Sequence, residues 1–146
     1  MMETKRITYY DKNGKLIKEK EDYSYTIYEY DKGGNLIEKK VFSTLFAKVL
    51  GYISPTIYKS YYDSNNNQIR MEGEDWHHEY KYNEKNLRTE LTSYENNKIK
   101  WKNKCWYNDK GDIIKVQSWN DEGLLKADEN KYYLYEDNMI MTKLTI

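Results

Sequence analysis

The fold of this chain is decided by a recurring element whose first copy reads Tyr10-Asp11-Lys12-Asn13-Gly14-Lys15-Leu16-Ile17. Every copy runs in the same order: an aromatic residue, then Asp, Asn or Glu, then Gly or Asn, and then an aliphatic residue. Eight copies follow this order, beginning at Tyr10, Tyr30, Tyr62, Tyr82, Tyr94, Tyr107, Trp119 and Tyr135. Such self-similarity indicates a repeat architecture.

Each copy has the composition of a β-hairpin turn. An Asp or Asn side chain at the start of a turn accepts hydrogen bonds from backbone N–H groups further along, and Gly or Asn tolerates the left-handed backbone that tight turns need. The flanking aromatic and aliphatic residues then face each other across the two strands. The element therefore predicts hairpins and carries no chemistry of its own.

The spacing of the copies predicts the topology. From Tyr82 the copies advance by 12, 13 and 12 residues to Tyr94, Tyr107 and Trp119, which fits a strand of about eight residues and a turn of about four. Longer gaps leave room for extra turns near Glu21–Asp22 and Gly73–Asp75. We expect an all-β antiparallel meander of about 11–12 strands, forming a curved sheet or an open barrel.

One segment, near 41–57, interrupts the repeats. Its apolar residues have the spacing of a helical stripe, namely Phe42, Leu45, Phe46, Val49 and Leu50. Ser43 is placed to cap a helix and Gly51 to end it. We predict one short helix near 42–51, inserted in a single domain that spans 1–146. We interpret it as a plug that completes the core; a docking element and a buried strand are the alternatives.

Composition excludes several classes of protein. The 146 residues carry 24 basic and 24 acidic side chains, so no global field steers the chain to nucleic acid or to an anionic membrane. No apolar run is long enough for a membrane-spanning helix. The lone Cys105 and the absence of a signal-peptide pattern predict a cytoplasmic protein. Seventeen Tyr and four Trp supply apolar area, which predicts a thin, aromatic core.

No catalytic, cofactor or metal site is predicted. His77 and His78 are neighbours on a strand, so their side chains point to opposite faces and cannot share a metal. Cys105 alternates with Ile99 and Trp101 on an apolar face, where a thiol behaves as a small hydrophobic group. The chain contains no calcium-loop, phosphate-loop or nucleophile motif. We therefore expect a protein that is not an enzyme.

The copies at Tyr10, Tyr30 and Tyr107 resemble the Tyr-Asp repeats of the RHS/YD family, and less closely the units of MORN-type, antitoxin-like repeat proteins. The resemblance covers most of the chain outside 41–57. It implies β-hairpins that coil into a curved sheet or shell, without catalysis in the repeats, and a place in bacterial toxin systems. The chain departs from the family because it is far shorter than an RHS shell and has no Asp-Pro pair at which self-cleavage would occur.

These observations favour a non-enzymatic protein-binding module, an immunity protein that neutralises a bacterial polymorphic toxin by occlusion. Its partner would be the cognate toxin domain. Aromatic side chains make rigid anchors in protein interfaces, so the predicted contact residues are Tyr28, Trp106 and Trp119, with Lys100 and Lys102 on the rim.

Two other functions remain open: a repeat protein that binds carbohydrate or a cell surface, and a curled β-barrel around a small ligand. The lysines between Lys98 and Lys104 are interpreted as a solvated face that discourages aggregation, not as a nucleic-acid surface. Open sheet edges would allow a homodimer.

Overall fold

The structure, a computed structural model, describes residues 5–51, 54–136 and 139–145, with side chains left undescribed at 46–48 and 132–145. It contains twelve strands that follow one another in chain order, and one helix. Its contacts divide the chain into two compact units, Met1–Glu74 (unit 1) and Asp75–Ile146 (unit 2). That residues 1–146 form a single domain stays a prediction.

Unit 1 is a meander of six strands with the helix between the fourth and the fifth. Within it each strand pairs antiparallel with the next where a register is defined. The elements are β1 Ile7–Tyr10, β2 Leu16–Glu21, β3 Ser24–Tyr30, β4 Leu36–Ser43, α1 Thr44–Leu50, β5 Thr56–Tyr62 and β6 Gln68–Glu72.

Unit 2 is a second meander of six antiparallel strands. They are β7 Trp76–Tyr82, β8 Arg88–Glu95, β9 Lys98–Tyr107, β10 Ile113–Asn120, β11 Leu125–Glu136 and β12 Met139–Thr145. The predicted all-β antiparallel meander and its strand number are confirmed. The extra turns expected near Asp22 and Gly73 also exist. The meander is open and not closed into a barrel, so it gives no support to a curled barrel around a small ligand.

Six of the repeat copies form the same turn, which we call the Asx loop. In the first, the Asp11 N–H donates to the Lys15 carbonyl (2.8 Å), and the Gly14 N–H donates to the Asp11 carbonyl (3.0 Å). Asp11 Oδ1 also accepts from the Asn13 and Lys15 amides, at 2.8 and 2.9 Å. The predicted role of the Asp or Asn is thus confirmed. The other five loops begin at Asp31, Asp63, Asn83, Asn108 and Asn120.

The fourth residue of every Asx loop has a left-handed backbone. It is Gly in four loops and Asn in the other two, with φ between 58° and 89°. A left-handed backbone costs a residue with a Cβ about 1–2 kcal/mol, and Asn tolerates it better than most. This requirement explains why the repeat element carries Gly or Asn at that position.

The copy at Tyr94 forms a different turn. Glu95 pairs directly with Lys98, and the two residues between them, Asn96 and Asn97, have φ values of 49° and 61°. Two consecutive left-handed residues define the type I′ turn. The copy at Tyr94 therefore forms a hairpin turn, as predicted, but this turn is not an Asx loop. The copy at Tyr135 includes residues 137–138, which lie outside the described residues.

Asn97→Gly is expected to stabilise unit 2 by about 0.5 kcal/mol, because Asn-Gly is the preferred pair for a type I′ turn. Asn97→Ala is expected to destabilise the unit by about 1 kcal/mol, since alanine tolerates the left-handed backbone poorly. All four tryptophans lie in unit 2. Urea unfolding followed by tryptophan fluorescence therefore reports on this unit, and equal midpoints for the two variants would contradict the turn assignment.

The tyrosine of the repeat element, at the end of one strand, links that strand to the start of the preceding strand. The Tyr30 hydroxyl donates to the Leu16 carbonyl at 2.8 Å, and the Tyr62 hydroxyl donates to the Leu36 carbonyl at 2.9 Å. In unit 2 the Tyr107 hydroxyl donates to the Arg88 carbonyl. We call this hydrogen bond the repeat joint.

The repeat joint closes a gap between neighbouring hairpins. The register of β2 with β3 begins at Lys18 and that of β4 with β5 begins at Glu38, so the strands part on the Asx-loop side of these pairs. The carbonyls of Leu16 and Leu36 lie beyond the paired stretch. The tyrosine side chain of the following copy supplies the donor that a strand would otherwise provide.

Each unit is thin. Among the described residues no hydrophobic side chain is buried, and the buried residues are Thr92 and Ser93, at 4% and 5% exposure. Half-buried aromatic contacts take the place of a core, as in the stacked rings of Tyr25 and Phe42, whose centroids are 4.5 Å apart. Both faces of the meander therefore present aromatic and aliphatic surface to solvent.

The predicted helix is confirmed, but its role as a plug is wrong. α1 begins directly after Ser43, and its first residue, Thr44, donates its N–H to the Tyr23 carbonyl at 2.8 Å. Gly51 follows with φ +74°. However, Leu45, Val49 and Leu50 are 51%, 76% and 56% exposed, and the Phe46 side chain lies outside the described residues. Phe42 of the proposed stripe belongs to β4, where its ring stacks on Tyr25.

None of the helical segments that the structure describes has the length and apolarity to cross a membrane.

Candidate protein-binding surface

Three of the predicted residues of unit 2, Lys102, Trp106 and Trp119, share one face of its sheet. Residues opposite each other on neighbouring strands lie on the same face. Lys102 is opposite Trp119, and Trp106 is opposite Lys115. Lys104 is opposite Glu90 on the other side of β9. We call this the lysine face. Lys102, Lys104 and Trp106 lie on it, as the alternation of β9 predicted, whereas Lys98 is opposite Glu95 and lies on the other face, so that part of the prediction is wrong.

Trp119 forms one wall of an open groove on the lysine face. The groove has a volume of about 390 Å³, and the Asx loop after β10 forms its end. Lys104 Nζ lies 5.9 Å from the centroid of the Trp119 ring, within the range of a cation–π contact. Its lining residues are Ile99, Lys102, Lys104, Trp119 and the loop residues 120–123. We call it the Lys–Trp groove.

Ile99 reaches the Lys–Trp groove because of a β-bulge. Ser93 is opposite Trp101, yet the next residue, Tyr94, is opposite Ile99, so the register shifts by one residue. Ile99 therefore lies on the face opposite to Trp101, and the prediction that it shares a face with Trp101 and Cys105 is wrong. A bulge cannot be deduced from alternation, because it changes the face of every residue beyond it.

A cluster of charges holds the lysines of this face in place. Glu90 Oε1 lies 3.1 Å from both Lys81 Nζ and Lys102 Nζ, and Glu90 Oε2 lies 3.8 Å from Lys104 Nζ. Burial acts to raise the pKa of Glu90, but hydrogen bonds from Lys102 and Lys81 outweigh it and lower the pKa. Three ammonium groups thus share one carboxylate, so the cluster is cationic.

Trp106 and Lys100 lie towards the two ends of β9. Trp106 is 39% exposed, and Lys115 Nζ lies 5.3 Å from its ring centroid. Trp106 also lines a second open groove of about 600 Å³, between the Asx loops that begin at Asn83 and Asn108. The Lys100 side chain is 54% exposed and forms an ion pair with Glu95. Their predicted roles as anchor and rim stay predictions.

Tyr28, the remaining predicted contact residue, lies in unit 1. Its half-buried side chain donates its hydroxyl to Glu19 Oε2 at 2.8 Å. Lys39 Nζ lies 6.0 Å from its ring centroid. Burial, followed by the hydrogen bond to Glu19, raises the pKa of Tyr28 to about 12. The hydroxyl is thus engaged in the fold, and the predicted binding role of Tyr28 stays a prediction.

Tyr28 is expected to lose its proton only near pH 12. A raised pKa in the folded state means that the neutral form stabilises the fold fully below the ordinary value of 10. That contribution is lost as the pH rises from 10 to about 12. Tyrosine ring NMR signals, with the Tyr28 signal assigned from Tyr28→Phe, would measure the midpoint. Glu19→Gln should lower it; an unchanged midpoint would show that the hydrogen bond has no effect.

The opposite face of unit 2, which we call the neutral face after its row of uncharged rings, also carries charged residues such as Glu95, opposite Trp76, and Arg88, near the Tyr80 ring. The His78 ring lies 4.9 Å from Trp76 and 5.8 Å from Trp101, centroid to centroid. His78 Nδ1 is buried and has no hydrogen-bond partner among the described residues. Burial, with a smaller contribution from His77, lowers the pKa of His78. His77 stacks on Tyr94 at 4.3 Å on the lysine face, so the two histidines do point to opposite faces.

Sequence reasoning missed several members of the surface. Lys104 could have been included, because strand alternation places it on the same face as Lys102. The placement of Ile99 and Lys115 on this face depends on the register between strands.

Within the part of the chain that the structure describes, no three His, Cys, Asp or Glu side chains come together as metal ligands would.

No protein-family model and no curated protein matches this chain. Solved structures do match its fold. The crystal structure of TcdB2-TccC3-Cdc42 is similar with a TM-score of 0.71 and 16% identity, over 89% of this chain and 6% of that chain. The crystal structure of TcdB2-TccC3-TEV is similar with a TM-score of 0.69 and 15% identity, over the same shares.

This chain thus spans a small part of the length of these chains, and the likeness shows a shared antiparallel meander.

Proposed function

We propose that this chain is a non-enzymatic immunity protein of the bacterial cytoplasm, which binds a cognate toxin domain and covers its active surface. The observation that carries the proposal is the lysine face, where exposed Trp106 and half-buried Trp119, which lines an open groove, lie beside lysines. No hydrophobic side chain is buried among the described residues of this sheet. Accessible aromatic anchors surrounded by charges are typical of protein interfaces.

The chemistry of the face indicates what kind of surface it would cover. The indole ring of Trp119 lines the Lys–Trp groove, and this groove is too open to enclose a small substrate. The lysines around Glu90 would attract a partner surface that carries carboxylates, which favours correct encounter more than raw affinity. The likeness of the fold to chains of a toxin complex supports a partner from a toxin system.

The test is direct binding to a toxin domain that is identified from the genes beside the one for this chain. Calorimetry with the purified domain should give a one-to-one complex, and co-expression should restore growth of cells that produce the toxin. Trp119→Ala should weaken binding by at least about 30-fold, because a central aromatic anchor contributes about 2 kcal/mol or more. Lys102→Ala should have a smaller effect.

Trp76→Ala is the matched control, since it removes the same side chain from the neutral face. It should leave the affinity unchanged. Loss of binding by Trp76→Ala with none by Trp119→Ala would move the site to the other face. A correctly folded chain that neither binds the neighbouring toxin domain nor protects cells would reject the immunity role.

The neutral face favours one second candidate, a protein that binds carbohydrate. Indole and imidazole rings in a row, at Trp76, His78 and Trp101, are the surface on which a sugar ring can stack. Retention on a glycan array that Trp101→Ala abolishes and Trp119→Ala preserves would support this candidate over a toxin partner.

A further inference from the structure

The Lys–Trp groove combines two kinds of surface in a fixed order along β9. Ile99 lines it nearest the Asx loop, and Lys102, opposite Trp119, comes next. Lys104 follows two residues further along the same face of the strand. The groove therefore changes from apolar and aromatic surface near the loop to cationic surface at Lys104.

The two lysines of the groove differ in their ion pairs. Lys102 Nζ lies 3.1 Å from Glu90 Oε1, which lies at the same distance from Lys81 Nζ. Lys104 Nζ is 3.8 Å from Glu90 Oε2, which is too far for a hydrogen bond. The Lys104 side chain is also 39% exposed. One carboxylate is thus shared by three ammonium groups, and Lys104 is the one best placed to bind a second carboxylate.

The Asx loop determines at which end of the groove an acidic ligand lies. Its residues Asp121 and Glu122 both line the groove, and their negative charges repel an acidic group from that end. A carboxylate is therefore directed to Lys104. The surface between Lys104 and the loop, which includes the Trp119 ring, takes an uncharged side chain.

We propose that the Lys–Trp groove binds an extended segment of the partner protein in which an apolar side chain and a carboxylate stand two residues apart, the carboxylate on Lys104 and the apolar side chain on Trp119. Side chains two residues apart lie on the same side of an extended chain, at a separation of about 6.6 Å. This separation is close to the 5.9 Å between Lys104 Nζ and the centroid of the Trp119 ring. Neighbouring side chains point to opposite sides, so they do not both enter the groove.

The inference rests on the proposed function, because the segment belongs to the protein that the lysine face binds. It adds a division of labour: Lys104 selects the partner by charge, whereas Trp119 supplies contact area. A protein segment fits better than a nucleic acid. The phosphates of a nucleic acid would lie beside Asp121 and Glu122 as well as beside Lys104, whereas a single carboxylate avoids the acidic end.

A double-mutant cycle between the groove and a peptide tests the inference. The probes are acetyl-Gly-Leu-Ser-Glu-Gly-amide and the same peptide with Gln in place of Glu, titrated into the full chain. The indole N–H signal of Trp119 in NMR spectra, assigned from Trp119→Phe, reports binding. The Glu peptide should bind about threefold more tightly than the Gln peptide, which is the effect of one exposed ion pair. Added salt should reduce this preference.

Lys104→Gln should remove the preference for the Glu peptide and leave the affinity for the Gln peptide unchanged. Lys98→Gln is the matched control, because Lys98 lies on the same strand but on the other face, and it should keep the full preference. A third peptide, acetyl-Gly-Leu-Glu-Ser-Gly-amide, places the two side chains next to each other and should bind no better than the Gln peptide. Circular dichroism should show that both variants are folded.

Equal binding of the Glu and Gln peptides would overturn the inference, as would a Trp119 signal that neither peptide moves at millimolar concentration. Loss of the preference in Lys98→Gln as well as in Lys104→Gln would also overturn it. A thymidine octamer that binds the groove more tightly than the Glu peptide at equal ionic strength would assign the groove to nucleic acid instead.

These probes contain no toxin domain, so the inference and the immunity role fail separately. A chain that protects cells but binds the Glu and Gln peptides equally keeps the proposed function and loses this inference. Selective binding of the Glu peptide by a chain that binds no toxin domain does the reverse.

Discussion

Replacing both Tyr30 and Tyr62 by phenylalanine is expected to lower the free energy of unfolding of unit 1 by about 2 kcal/mol. Each hydroxyl donates to a backbone carbonyl, at 2.8 and 2.9 Å. Such a bond contributes about 0.5–1.5 kcal/mol, and a half-buried carbonyl left without its donor adds to the loss. The two effects should add, because the joints share no residue.

Urea unfolding followed by far-ultraviolet circular dichroism would measure this loss, with each single variant alongside the double variant. Tyr10→Phe is the control in the same structural position, since its hydroxyl has no partner among the described residues. It should change the stability by less than about 0.5 kcal/mol. If the double variant is as stable as Tyr10→Phe, the repeat joint does not hold neighbouring hairpins together.

Gly34→Ala is expected to destabilise unit 1 by about 2 kcal/mol. Gly34 has φ +89°, and a Cβ in a left-handed backbone costs about 1–2 kcal/mol. The new methyl group would also lie 2.6 Å from Lys15 Nζ. That ammonium sits 4.9 Å from the centroid of the Tyr30 ring and would have to leave it. For a unit of this size the loss corresponds to a fall in Tm of about 10 °C.

Substitutions at two other glycines separate the cost of the left-handed backbone from the cost of the contact with Lys15. Gly33→Ala is the matched control, because Gly33 has no positive φ and its nearest contact would be Asp31 Oδ1 at 3.3 Å. Gly14→Ala keeps the left-handed cost, with φ +80°, but meets nothing within 4 Å. The expected order of Tm is Gly33→Ala highest and Gly34→Ala lowest. Equal values for Gly33→Ala and Gly34→Ala would contradict the backbone argument.

Most of the fold could be predicted because its turns depend on residues that are close together in the sequence. The Asx loop needs one Asp or Asn and one left-handed residue, and both are visible in the sequence at Asp11 and Gly14. The helix after Ser43 was also predictable from its stripe and its final glycine. Its exposure was not, because periodicity identifies an apolar face without telling what will cover it.

The candidate site could be predicted only in part. Alternation placed Lys102 and Trp106 on one face, since side chains alternate strictly within a regular strand. The pairing of Lys102 with Trp119 depends on register between β9 and β10, and the move of Ile99 depends on a bulge. Register and bulges are set by contacts across strands, which a single sequence does not display.

The repeat joint distinguishes the residues that determine the fold from the residues that only cover its surface. Three kinds of residue build every joined hairpin: the tyrosine donor, the Asx residue and the left-handed Gly or Asn. The strand residues between them are constrained only by the alternation of side chains between the two faces and by pairing with the neighbouring strand. Variants of this chain could therefore differ at all the outward-facing positions of one sheet face, while the residues that form the turns and the repeat joints stay unchanged and the fold is kept.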